Sequence, residues 1–187
     1  PERRLTMTDS ANDKQHEVGW QETKHSSTDT SSVATRDLET TYTVTDYASL
    51  RGAVSSLSND DTIAIGADIV VKKTLNFTEL QNVSLQSSGG TFSLDGAGAL
   101  RLLYINHSSI TIENLILTNG STATCSGTEN CGGAAIYVHR STVRLVGIQI
   151  TNCYSNDDGG GIYAFSSHFY LSSSNISGCT ADGDGGG

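Results

Sequence analysis

The sequence predicts an all-β fold, built as a parallel β-solenoid. Three observations support this prediction: a repeated segment, a shortage of helix-forming runs, and many small turn residues. The chain of 187 residues contains 20 glycines and, apart from Pro1, no proline. Its short β-branched runs are separated by Gly, Asn, Asp and Ser, a pattern typical of strands joined by tight turns.

The repeat is clearest in "IYV" from Ile136 and "IYA" from Ile162, which are 26 residues apart. A copy from Leu103, "LYI", precedes the first of these by 33 residues, and the extra residues lie around "CSGTENC". A unit this short cannot bury its own apolar face, so successive copies must stack. Because side chains alternate along a strand, four inward columns are predicted. These are Ile110/Val143/Phe169, Ile112/Leu145/Leu171, Leu117/Ile150/Ile176 and Leu103/Ile136/Ile162.

The chain divides into a tail and a domain. Residues 1–41 are polar, of mixed charge and without a hydrophobic period, which predicts a disordered tail or linker. Residues 42–187 are predicted to form the solenoid. Asp46 can cap a short helix over the N-terminal edge of the solenoid, with Leu50, Ala53, Val54 and Leu57 on its apolar face. The chain opens without Met and stops inside a repeat, so we interpret it as a fragment of a longer solenoid, truncated at the C-terminus.

Charge and hydropathy exclude two kinds of partner. The 20 acidic and 11 basic residues give a formal net charge of −9, and no basic stripe for nucleic acid is present. No apolar run approaches the roughly 20 residues that a membrane helix needs. We therefore expect no nucleic-acid partner and no membrane segment in this fragment.

With its repeats aligned, the chain from about residue 42 onward resembles the right-handed parallel β-helix proteins of the pectin lyase-like superfamily. "SLRGAVSSLSNDDTIAIGADI", "FSLDGAGALRLLYI" and "ITIENLILTNG" are similar to the opening coils of many such proteins. "CGGAAIYV" and "DGGGIYA" resemble the GGA-I element of polymorphic outer-membrane-protein repeats, whose Phe-x-x-Asn element is replaced here by "ITNC" and "ISGC". The resemblance implies a right-handed β-helix with a short N-terminal capping helix. The resemblance to the outer-membrane-protein repeats implies a surface adhesin or a passenger domain. The resemblance to the wider superfamily also allows a lyase, a hydrolase or an epimerase.

Acidic and amide side chains recur before the glycine triplets. Asn156 and Asp158 return after 26 residues as Asp182 and Asp184. A catalytic pair is needed once per active site, so residues that return with the repeat are better interpreted as turn acceptors for local backbone N–H groups. The alternative is a Ca²⁺ site, since stacked Asp and Asn oxygens suit a hard cation. Calcium is the one cofactor that the sequence suggests.

The four cysteines form two pairs. Cys125 and Cys131 bracket five residues of the inserted loop, a spacing that a disulfide can close. Cys153 and Cys179 stack on adjacent coils, about 4.8 Å apart if strand spacing holds, and either a second disulfide or a ladder of buried thiols fits them. An even number of cysteines in a chain of this composition favours an extracellular or cell-surface location.

Five glycosylation sequons point to the same compartment. Asn76, Asn82, Asn106 and Asn175 are the predicted acceptors. The fifth sequon asparagine, Asn119, shares a turn column with Asn152, where it can bond its own stack instead.

One outward column is aromatic. Tyr104, Tyr137 and Tyr163 stack on successive copies, and exposed rings can lie flat against sugars. The alternative is cross-strand aromatic pairing that only stabilises the solenoid. We expect a non-catalytic secreted or cell-surface protein with an adhesive or structural role, whose partner is a polysaccharide or a surface protein. The alternative function is a polysaccharide lyase, hydrolase or epimerase whose catalytic residues lie beyond this fragment.

Overall fold

A computed structural model describes residues 39–126 and 131–186. The described part of the chain contains one α-helix, α1 (Tyr47–Ser56), among short strands. The strands are β1 (Thr41–Val44), β2 (Thr62–Ile65), β3 (Ile69–Val70), β4 (Leu75–Thr78), β5 (Val83–Ser87), β6 (Phe92–Asp95), β7 (Leu103–Asn106), β8 (Ser109–Glu113), β9 (Leu115–Thr118), β10 (Ile136–His139), β11 (Thr142–Val146), β12 (Gln149–Thr151), β13 (Tyr154–Ser155), β14 (Ile162–Phe165), β15 (His168–Ser172), β16 (Asn175–Ser177) and β17 (Thr180–Ala181).

Within these ranges the strands form three larger sheets and one small one. The six-stranded sheet has the order β1-β2-β5-β8-β11-β15, the four-stranded sheet β4-β7-β10-β14, and the five-stranded sheet β3-β6-β9-β12-β16. The pairings are parallel throughout, and β13 and β17 form a two-stranded parallel sheet. From β2 onward, successive strands of the chain therefore belong to different sheets, and each of the three larger sheets gains one strand per coil. This is a solenoid-like all-β fold, as the repeat predicted.

The predicted inward columns are confirmed residue by residue. Val143 is in register with Ile110 on one side and Phe169 on the other, and the other three columns are aligned in the same way. The same columns extend into earlier coils, where Leu85 pairs with Ile112 and Leu94 with Leu117. Apart from Leu171, these side chains form one continuous apolar core between the sheets or pack against it. Leu171 is 47% exposed on β15, because no strand of the described residues pairs with β15 on that side.

The predicted helix is confirmed at the N-terminal end of the solenoid. The Asp46 carboxylate accepts the Ser49 N–H at 2.7 Å, and the Ser49 hydroxyl lies 3.3 Å from the Asp46 nitrogen, which together make a capping box. Leu50 and Ala53 are buried, and α1 contacts β1, β2 and β4. The predicted disordered tail falls largely on residues 1–38, which lie outside the described residues. Thr41, which the prediction placed in the tail, is the first residue of β1.

Candidate binding face

The outer side of the four-stranded sheet carries the predicted tyrosine column. Tyr104 is in register with Tyr137, and Tyr137 with Tyr163. The ring centroids are 5.2 Å and 5.6 Å apart, with interplanar angles of 2° and 15°. The sequence therefore placed these three residues correctly on one outward column.

The expectation that all three rings are exposed is wrong for Tyr137, which is only 2% exposed. Its two faces lie against Tyr104 and Tyr163, and the Arg101 guanidinium carbon lies 4.9 Å from its ring centroid. Burial is the main cause that raises the pKa of the Tyr137 hydroxyl. A sugar therefore cannot stack on Tyr137, so this ring serves as the interior of an aromatic stack.

Arg101 is held over this stack by backbone carbonyls. Its Nε donates to the Gly133 oxygen at 3.1 Å, and a terminal nitrogen donates to the Gly132 oxygen at 2.8 Å. Gly132 and Gly133 lie in the turn before β10, the strand that carries Tyr137, and are separated from it by two alanines. The arginine and the glycine turn therefore fix the tyrosine column from its side.

A second outward column lies beside the tyrosines and was missed by the sequence analysis. Asn106, His139 and Phe165 are in register on β7, β10 and β14. The His139 and Phe165 rings stack with centroids 5.6 Å apart, and His139 Nδ1 lies 3.0 Å from Asn106 Oδ1. Phe165 is 54% exposed. The signal was present in the aligned copies "LYIN", "IYVH" and "IYAF", in which the fourth position changes from polar to aromatic.

The environment of His139 disfavours its charged form. Burial, then the nearby Arg140 charge and then His107 lower the pKa of His139. A neutral imidazole stacked on Phe165 extends the apolar part of this surface. We call the outer side of β7, β10 and β14, with both ring columns, the aromatic face.

The recurrent Asp and Asn side chains are used as hydrogen-bond partners of the coil turns. Asp158 Oδ1 accepts the Asp184 N–H at 2.8 Å, so this carboxylate links one coil to the next. The turn interpretation expected a local partner, whereas this partner is 26 residues away. Asn156 Nδ2 donates to the Cys125 oxygen at 2.7 Å.

Asp182, a further member of this set, accepts a hydrogen bond from the Tyr154 hydroxyl at 2.7 Å. That hydrogen bond is the main cause that raises the pKa of Tyr154. Among residues 39–126 and 131–186, no group of three or more His, Cys, Asp or Glu is arranged to hold a metal ion. Of the side chains proposed for Ca²⁺, Asn156, Asp158 and Asp182 each have a protein hydrogen-bond partner for a side-chain oxygen.

The predicted disulfide between Cys125 and Cys131 is confirmed. The second pair, Cys153 and Cys179, is not bridged, and both thiols are free and buried. Cys153 Sγ lies 3.4 Å from the Thr151 oxygen, and Cys179 Sγ lies 3.7 Å from the Ser177 oxygen, which gives each thiol a carbonyl two residues earlier. In-register residues on adjacent parallel coils keep their Cβ atoms near the coil spacing of about 4.8 Å, which is wider than the mean Cβ separation of a disulfide.

We expect the two buried thiols to be unreactive in the folded protein. Burial raises the pKa of the Cys153 thiol to about 12, so its thiolate is scarce at pH 8. A thiol-reactive disulfide reagent at pH 8 should label neither cysteine in native buffer and both in concentrated guanidinium chloride. Rapid labelling of the native protein would contradict the burial. A denatured, non-reduced protein without thiols would show that the pair is bridged.

The sequon asparagines differ in how they are presented. Asn76, Asn82 and Asn175 are exposed, whereas Asn106 and Asn119 are half-buried. The Asn106 side-chain oxygen lies within hydrogen-bond distance of the His139 ring. Asn119 Nδ2 donates to Asp95 Oδ1 at 3.0 Å. Asn119 therefore bonds its own stack, as its turn position suggested. Glycosylation of Asn76, Asn82, Asn106 and Asn175 stays a prediction.

Comparison of the chain with protein families, curated proteins and solved structures found no match. The helix that the structure describes is too short to cross a membrane.

Proposed function

We propose that this chain is part of a secreted or cell-surface β-helix protein with a non-catalytic, adhesive role, and that its aromatic face binds a polysaccharide. One observation carries the proposal: two register-matched columns with aromatic rings lie side by side on one outer sheet surface, and the rings of Tyr104, His139 and Tyr163 in these columns are partly exposed. Exposed rings on a rigid scaffold provide a flat apolar platform at small entropic cost. A polymer that itself repeats is a suitable partner for a surface that repeats with every coil.

The finer fold assignment belongs to the same proposal. We take the solenoid to be a right-handed parallel β-helix of the pectin lyase-like kind. The resemblance of the "CGGAAIYV" and "DGGGIYA" segments to outer-membrane-protein repeats supports this assignment. The strong preference for right-handed connections between parallel strands of one sheet also supports it. The Cys125–Cys131 disulfide supports an oxidising, extracellular setting.

Native electrophoresis through gels that contain a neutral polysaccharide tests the proposal. Xylan, mannan, dextran and hydroxyethyl cellulose serve as the panel. We expect at least one polymer to retard the wild-type protein while remaining intact. A cleared zone in the gel would show depolymerisation and would overturn the non-catalytic assignment. Unchanged mobility in every gel would contradict the binding of neutral polysaccharides by the aromatic face.

The substitution Phe165→Ala tests whether the aromatic face is the binding surface. We expect it to weaken the interaction about tenfold, because an exposed aromatic anchor at a binding site contributes on the order of 1–2 kcal/mol. Tyr170→Ala is the matched control, since Tyr170 is 51% exposed on the same last coil but lies on the six-stranded sheet. Equal loss in both variants would contradict a site on the aromatic face.

A further inference from the structure

A polar groove runs along the corner between the four-stranded and six-stranded sheets, directly beside the aromatic face. It has a volume of about 300 Å³. It is lined by Gln81, His107, Ser108, Ser109, Arg140, Ser141, Thr142, Ser166 and His168. Among the residues that the structure describes, no acidic residue lines the groove, whereas Arg140 and two histidines do.

A ladder of serines builds the floor of the groove. The Ser141 hydroxyl accepts the Ser108 N–H at 3.0 Å and donates to the His139 oxygen at 2.7 Å. The Ser167 hydroxyl repeats this on the next coil, where it accepts the Ser141 N–H at 3.1 Å and donates to the Phe165 oxygen at 2.8 Å. Both hydroxyls bond backbone groups of the turns, so the backbone of the corner has the same conformation on these successive coils.

The turns place cationic and hydrogen-bond-donating side chains at equivalent corner positions. His107, Arg140 and Ser166 all have a left-handed backbone, with φ of 50°, 46° and 51°, and they occupy one corner column on three successive coils. Thr142 and His168 form a neighbouring column at the start of β11 and β15. The donors therefore enter the groove from two sides and from more than one coil.

Arg140 is the central charge of the groove. Its side chain is exposed, and the guanidinium forms no ion pair or hydrogen bond with the residues that the structure describes. Glu79 is the acidic residue of the same corner. It lies one coil before His107 and does not line the groove. A guanidinium with five N–H donors and no carboxylate partner is suited to an anionic oxygen ligand.

We infer that this corner groove binds a sulfate-ester group of an anionic glycan, with Arg140 as the main contact, and this inference rests on the proposed polysaccharide binding. The ester presents three terminal oxygens in different directions, which match donors from Arg140, from the imidazoles of His107 and His168, and from the hydroxyls of Thr142 and Ser166, which are not used in the turns. A carboxylate presents only two oxygens in one plane. The sugar ring that carries the ester lies on Phe165 and His139, since these residues directly precede Ser166 and Arg140 in the chain.

The test compares dextran, carboxymethyl dextran and dextran sulfate, the two charged polymers having matched charge density, in the same native gels. Wild-type protein should be retarded most by dextran sulfate. Arg140→Gln should weaken that interaction about tenfold, because a hydrogen-bonded charge pair is lost. Arg144→Gln is the matched control: it removes the same charge from an exposed arginine four residues away, on the outer side of the six-stranded sheet. That variant should behave like the wild type.

Each contrary result has a defined meaning. If both substitutions weakened the binding of dextran sulfate equally, the groove would not be the binding site, and the interaction would be a general attraction between the polymer and positive charge. Carboxymethyl dextran that retards the protein as strongly as dextran sulfate would overturn the assignment to sulfate. Retardation by neutral polymers that depends on Phe165, with no added effect of dextran sulfate, would overturn this inference and leave the proposed function intact. Retardation by dextran sulfate that depends on Arg140 but not on Phe165 would contradict both the aromatic face and the placement of the sugar ring on Phe165.

Discussion

Replacing Leu145 by alanine should lower the free energy of unfolding by about 2–5 kcal/mol. Leu145 lies at the centre of an inward column, between Ile112 on β8 and Leu171 on β15, and it is fully buried. The shorter side chain loses its transfer free energy and leaves a cavity that coils on both sides hold open. Guanidinium chloride denaturation followed by far-ultraviolet circular dichroism measures the change.

Leu171→Ala is the control for this prediction, because it is the same substitution in the same column. Leu171 is 47% exposed and has a coil on one side only. We expect a loss of about 1 kcal/mol or less, since roughly half of the side chain is already in water. If the two variants were equally destabilised, the core of the solenoid would not be organised in the columns that the structure shows.

The columns could be predicted from the sequence because two simple rules act together. Side chains alternate along each strand, and the repeat keeps every strand in register with the next. Ile110, Val143 and Phe169 were therefore aligned without any knowledge of distances. The same rules predict the register of the earlier coils less well, because Val83 and Leu94 belong to copies with altered lengths and turns.

The burial of Tyr137 could not be predicted in this way. Alternation gives the direction of a side chain but not what covers it. Arg101 lies on the preceding coil, and the carbonyls that hold it belong to Gly132 and Gly133. Gly133 recurs with the repeat, but Arg101 does not, since Ala134 and Gly160 stand at the equivalent positions, so the periodic pattern contains no information about this contact.

The state of Cys153 and Cys179 shows a related limit. The repeat correctly placed them on adjacent coils, and both are buried. Adjacency alone does not decide between a disulfide and two thiols, because the choice depends on the separation of the Cβ atoms. Parallel stacking fixes that separation near the spacing of the coils.

The glycine that precedes the Ile-Tyr pair in each repeat, Gly133 and Gly159, is required by close packing of backbone, and this is the basis of the last prediction. Gly133 has φ of +70°, and a Cβ at this position would lie against the Ile136 carbonyl oxygen and 2.9 Å from the Tyr163 nitrogen. Its N–H donates to the Gly159 oxygen at 2.9 Å, and its own oxygen holds Arg101. Neither backbone neighbour can yield without breaking contacts between coils.

Gly133→Ala should therefore destabilise the protein by more than about 3 kcal/mol, from left-handed strain together with overlap of backbone atoms. Gly98→Ala is the matched control, because Gly98 has φ of +67° but open space around its added Cβ. That variant carries the strain alone and should lose about 1–2 kcal/mol. Urea denaturation of both proteins separates the two costs. Similar losses would mean that backbone conformation, and not the approach of neighbouring coils, requires glycine at Gly133. A larger loss at Gly133 would show that the turn before β10 supports the stack of coils on which the aromatic face is built.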